Sequence, residues 1–114
     1  MRRLILDARG IPTGAETAFG EFDRALGDLN FDDGFALNDD RASFAISGGT
    51  RRITVEFIAG FRYAQVFAPP GKDFIAFEPM TAPTSALTSG RGLQFVPPTG
   101  RHGTSFRIAV DDLA

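Results

Sequence analysis

The chain has 114 residues, 43% of them apolar, and a formal net charge of −2, which bounds it to one small domain or a piece of a larger one. Its 12 basic residues, all arginine except Lys72, are dispersed, so the basic patch expected of a nucleic-acid reader is missing. The absence of cysteine and the presence of one histidine, His102, exclude disulfides, thiolate metal sites and His-pair metal motifs.

Residues 3–8 predict a strand that closes at Gly10-Ile11-Pro12-Thr13-Gly14. The basic head Met1-Arg2-Arg3 is followed by only a short apolar run before Asp7 and Arg9. A secretory leader needs roughly 7–15 apolar residues there and a membrane helix ~20, so a soluble, cytoplasmic protein is expected. Residues 17–27 place Phe19, Phe22 and Leu26 on one helical face, which predicts a turn or two of helix ended by Gly27. Residues 30–40, acidic and glycine-containing, predict a loop.

Strand signals then dominate. Residues 43–46 lead to a hairpin turn at Gly48-Gly49. Residues 52–59 alternate, with Ile53, Val55 and Phe57 on one face and Thr54, Glu56 and Ile58 on the other, until Gly60 breaks the run. Residues 62–68 align Tyr63, Gln65 and Phe67 beside Phe61, and stop at Pro69-Pro70-Gly71. Residues 73–78 form the next strand, followed by a Pro/Thr/Ser/Gly loop over 79–92. Residues 93–96 and 105–110 complete the set, joined through Pro97-Pro98-Thr99-Gly100-Arg101-His102-Gly103. About seven short strands in antiparallel order point to an all-β sandwich, because one half-apolar sheet must cover another. No repeat or linker divides residues 1–114, which read as a single domain.

The segment Phe74-Ile75-Ala76-Phe77-Glu78-Pro79 holds the candidate chemistry. Both of its faces are apolar, so it reads as an interior strand that delivers Glu78 at its C-terminal end. A rigidly held carboxylate there suits a general base, with partial burial raising its pKa. The alternative is a strand-end glutamate paired with an arginine. Asp32-Asp33, framed by Phe31 and Phe35, is either a hydroxyl-binding pair, a Ca²⁺ contact or a solvated Asp-Asp-Gly turn. Asp39-Asp40 has no apolar frame and reads as a turn. His102 sits in a loop with no partner acid assigned. Gly90-Arg91-Gly92 precedes a strand and so is not a phosphate loop, and the serines lack a nucleophile-elbow context.

Five stretches carry a resemblance in order along the chain: Ile11-Pro12-Thr13-Gly14, Phe22-Asp23-Arg24-Ala25-Leu26-Gly27, Phe31-Asp32-Asp33-Gly34-Phe35, Gln65-Val66-Phe67-Ala68-Pro69 and Ile75-Ala76-Phe77-Glu78-Pro79-Met80-Thr81-Ala82-Pro83. Together they resemble the C-terminal part of aldose 1-epimerases, the galactose mutarotase-like family. The resemblance implies a partial antiparallel β-sandwich of the supersandwich kind, and interconversion of the α and β anomers of a free aldohexose without a cofactor or metal. It implies that Glu78 is the base on the anomeric hydroxyl and that Asp32 binds sugar hydroxyls. The family's domain is more than twice as long, and its N-terminal half supplies the general-acid histidine and an arginine on the substrate. His102 matches neither family histidine, and its loop departs from the family's turn before the final strand.

Loss of one positioned proton donor lowers such a rate roughly 10²–10⁴-fold. The expected partners are therefore a monosaccharide, with no nucleic acid or membrane, and either a homodimeric copy or a complementing N-terminal half that covers an open sheet. Met1 is accordingly expected to be an internal start in a truncated or split gene. Two further readings stand beside the epimerase. One is a non-catalytic carbohydrate-binding module, the other a structural fragment that folds only with a partner chain.

Overall fold

A computed structural model describes residues 1–20 and 22–113. Among them, strands β1 (Arg2–Leu6), β2 (Pro12–Ala18), β3 (Phe31–Ala36), β4 (Ala42–Gly48), β5 (Arg51–Ala59), β6 (Tyr63–Ala68), β7 (Ala76–Met80) and β8 (Ser105–Asp112) build nearly the whole fold. One short helix, α1 (Ala86–Ser89), lies between β7 and β8. A five-stranded sheet has the order β2-β1-β3-β6-β7 and a three-stranded sheet the order β4-β5-β8. Every pairing is antiparallel. The all-β, sandwich-like architecture read from the turn chemistry is the one observed.

Local chemistry explains the elements. The β1–β2 turn closes where the Asp7 carboxylate accepts from the backbone N–H groups of Arg9 at 2.8 Å and Ile11 at 3.1 Å. Gly10 supplies the positive φ of 77° that the reversal requires. The β4–β5 hairpin turns at Gly49, at φ 57°, and the alternation of Ile53, Val55 and Phe57 carries through β5. The two sheets meet through phenylalanine. Phe35 on β3, Phe57 on β5 and Val66 on β6 are fully buried, each such side chain contributing about 1.5–3 kcal/mol. Phe77 of β7 stacks on Phe44 of β4 with centroids 5.4 Å apart, tying one sheet to the other.

Several expectations are corrected. Residues 17–27 form no helix among those described. Their first two residues belong to β2 and the rest are irregular, and Glu21 lies outside the described residues. The spacing of Phe19 and Phe22 has another cause: both rings cap the core at 4.9 and 5.5 Å from Phe35. Residues 30–40 are not a loop, for β3 occupies their centre and pairs with β1 and β6. The turn-like composition misleads because Gly34 is there for closeness. A Cβ at Gly34 would lie 3.1 Å from Leu4 Cδ1 and 3.2 Å from Gln65 Oε1.

The strand carrying Glu78 is not interior. β7 is the edge of its sheet, which is why Pro79 can sit inside it, opposite Ala64, instead of ending it. Residues 93–96 form no strand; Phe95 and Val96 stand exposed.

Candidate functional site

Register determines which side chains share a face. Gly34, Gln65 and Glu78 lie directly across from one another on β3, β6 and β7. Asp32, Phe67 and Ala76 form the next row, and Ala36, Tyr63 and Met80 the row on the other side. The alternate residues Phe35, Val66, Ala64 and Phe77 fill or border the core. The rows with Asp32, Gln65 and Glu78 therefore occupy the outer face of the five-stranded sheet.

On that face the Gln65 Nε2 donates to Asp32 Oδ1 at 2.9 Å. Gln65 is half-buried, whereas Asp32 and Glu78 are exposed. Directly opposed side chains in an antiparallel pair have Cβ atoms ~4.5–5.5 Å apart, so the Gln65 amide and the Glu78 carboxylate are neighbours. The backbone positions of Asp32 and Glu78, two strands and two residues apart, are separated by on the order of 12 Å.

A cleft of about 290 Å³ opens on this face, with Asp32, Gly34 and Gln65 on its floor. Leu6 at the end of β1, Arg9 in the turn, Pro12 at the start of β2 and Thr84 after β7 also line it. The segment after β7 is tied down across the face. Arg91 Nη2 donates to the Pro12 carbonyl at 3.0 Å, and its guanidinium packs so closely on Gly14 that a Cβ there would lie 2.9 Å from Nη1. Gly92, at φ 68°, packs on the Tyr63 hydroxyl and Pro83. A larger cleft of about 580 Å³ lies between Met1, Phe22, Arg41 and Phe44. It is bordered by core rings and loop residues and does not include Asp32; Glu78 lines neither cleft and stands beside the smaller one on the edge strand.

The structure thus places Asp32 and Glu78 on one face and separates other pairs. Asp33 turns to the opposite face, across from Val66, so Asp32-Asp33 is neither a joint hydroxyl clamp nor a shared Ca²⁺ ligand pair. The half-buried glutamate expected at a strand end is replaced by an exposed one. His102 is exposed in the segment leading to β8, which belongs to the three-stranded sheet. Among the described residues no group of three His, Asp or Glu side chains converges as a metal ion needs, and no helix is long and apolar enough to cross a membrane.

Gln65 escaped the sequence reading as a site residue. Its signal was a single amide on an otherwise aromatic strand face, and only the pairing register gives that amide two carboxylate neighbours. No protein-family model, curated protein or solved structure matches the chain.

Proposed function

We propose that the outer face of the five-stranded sheet binds an aldohexose and that the chain is an aldose 1-epimerase-like protein. The single observation that carries this reading is the Asp32–Gln65–Glu78 constellation, two carboxylates flanking one amide, with Asp32 and Gln65 on the floor of a cleft. Asp32 accepts hydrogen bonds from ring hydroxyls, and Gln65 both holds that carboxylate and offers its own polar atoms. Glu78, reaching from the edge strand, removes the proton of the anomeric hydroxyl. The ring C–O bond breaks as a proton is delivered to the ring oxygen, the C1–C2 bond rotates, and closure on the other face returns both protons. The resemblance in five ordered stretches supports the same substrate class, a supersandwich of which this chain forms part, and a role in carbohydrate metabolism; the short apolar run before Asp7 supports a cytoplasmic setting.

The proton donor for the ring oxygen is assigned to a complementing N-terminal half. His102 precedes a strand of the other sheet, and among the described residues no hydrogen bond connects it to Asp32, Gln65 or Glu78. The same observation favours a second reading, a carbohydrate-binding module that holds a sugar without turning it over. Polarimetric mutarotation of glucose and galactose separates the two. Rate acceleration that vanishes in Glu78→Gln supports the epimerase. Saccharide binding by calorimetry with no acceleration, even when a separately expressed N-terminal half supplying the general acid is added, leaves the binding module, and absence of both overturns the assignment of this face.

A further inference from the structure

The three-stranded sheet leaves part of its inner face uncovered. Phe106, Ile108 and Val110 of β8 lie across from Phe57, Val55 and Ile53 of β5. Phe57 is fully buried in the core, yet Phe106, Ile108 and Val110 are 50%, 60% and 60% exposed and Ile53 is 41% exposed. The apolar face continues past the point where the opposing sheet stops. β8 is also an edge strand. The Leu113 N–H donates to the Thr50 carbonyl at 2.6 Å, so the odd-numbered residues of β8 address β5. Phe106, Ile108, Val110 and Asp112 then turn their backbone groups toward the free edge, an open template for another strand.

The charge pattern of β8 selects the occupant. On its outer face Arg107 lies across from Glu56, bonded at 2.6 Å, and Asp111 lies across from Arg52. An antiparallel pairing of β8 with a second β8, with the two-fold axis at Ala109, sets Arg107 opposite Asp111 of the copy and Ile108 opposite Val110 of the copy. Each row across the joined sheets then reads Arg52, Asp111, Arg107, Glu56, alternating in sign at every step. Shifting the axis to Arg107 opposes arginine to arginine, and shifting it to Ile108 or Val110 leaves the charges without partners. The Arg107–Asp111 pairs fall at the non-hydrogen-bonded positions, where facing side chains are closest.

We infer that β8 is a self-complementary dimerisation edge and that two chains join their three-stranded sheets through it, in a closed isologous contact. The joined apolar face runs from Ile53 of one chain to Ile53 of the other. This surface lies on the opposite sheet from Asp32 and Glu78, so it stands or falls independently of the sugar site.

Sedimentation velocity at micromolar concentration tests it. The parent chain is expected to be a dimer, and Arg107→Asp and Asp111→Arg each weaken association roughly tenfold or more by placing like charges opposite each other twice. Mixing the two variants restores the dimer, because both acidic side chains of the Arg107→Asp chain then face both arginines of the Asp111→Arg chain. Should a charge reversal unfold the chain, as read by circular dichroism, Ala109→Lys serves instead, since it sets a lysine against its own copy at the axis. A monomeric parent overturns the inference and leaves the face to a different chain segment. A dimer indifferent to the charge reversals and to Ala109→Lys, or variants that do not recover on mixing, also overturns it.

Discussion

Gln65 sits between the two candidate carboxylates, donating to Asp32 at 2.9 Å and standing directly across the strand pair from Glu78. The amide therefore orients one acid and neighbours the other. Replacing it by leucine keeps the half-buried side chain's volume and removes the hydrogen bond to Asp32. We expect Gln65→Leu to weaken saccharide affinity about tenfold, the scale of one hydrogen bond to a charged group, with little change in thermal stability. Isothermal titration against glucose and galactose reads the first, and a melting curve the second. Unchanged affinity would remove Gln65 from the site.

Asp32 and Glu78 should separate kinetically wherever turnover is present. Asp32 is placed to hold hydroxyl groups in ground and transition state alike, so Asp32→Asn is expected to raise KM with kcat little altered. Glu78→Gln removes the base and keeps the shape, and its loss should fall on kcat, by roughly 10²–10⁴-fold. A loss in KM alone for Glu78→Gln would mean that the exposed carboxylate binds and does not abstract a proton.

The strand order was only partly legible in the sequence. Alternation in β5 and β6 and the glycine turn before β5 were visible because each is a short-range pattern with a polar or apolar partner two residues away. β3 was not, since Asp32-Asp33-Gly34 has the composition of a turn. What makes it a strand is nonlocal: Leu4 and Gln65 close over Gly34 from neighbouring strands. The apolar neighbours of Glu78 suggest an interior strand and partial burial, whereas β7 is an edge and the carboxylate is exposed. The Phe19–Phe22 spacing suggests a helix, whereas both rings sit there because they pack onto Phe35. Side-chain period predicts a face correctly only when the element itself is right.

Gly92 links backbone conformation to the site. Its φ of 68° is unfavourable for a side chain, and a Cβ would meet Tyr63 Oη at 2.7 Å and Pro83 Cδ at 2.9 Å. Tyr63 stands in the row beside Gln65 and Glu78. Gly92→Ala should cost about 1–3 kcal/mol in chemical denaturation and should also lift the segment that Arg91 fastens to Pro12. Limited proteolysis in residues 81–92 is expected to speed up, and saccharide affinity to fall. Destabilisation without faster cleavage would confine the strain to the tyrosine contact.

Asp7 offers a test of acid sensitivity away from the site. Backbone N–H donation from Ile11 and then from Arg9 holds its carboxyl below the ordinary value of 3.8, outweighing the opposing effect of desolvation, with the Arg9 charge assisting. The lowered value means that the folded state favours the ionised form. The resulting stabilisation of the β1–β2 turn is present above pH 3.8 and is lost as pH falls below it, through the folded-state value. Asp7→Asn retains an acceptor for the same N–H groups and removes the charge, so its melting temperature should lie below the parent's near neutrality and converge toward it in strong acid. An Asp7 carboxyl carbon followed by NMR should titrate with its midpoint under 3.8. A gap between the two melting curves that stays constant from neutral to strongly acidic buffer would place the stabilisation in turn geometry and not in the ionised carboxylate.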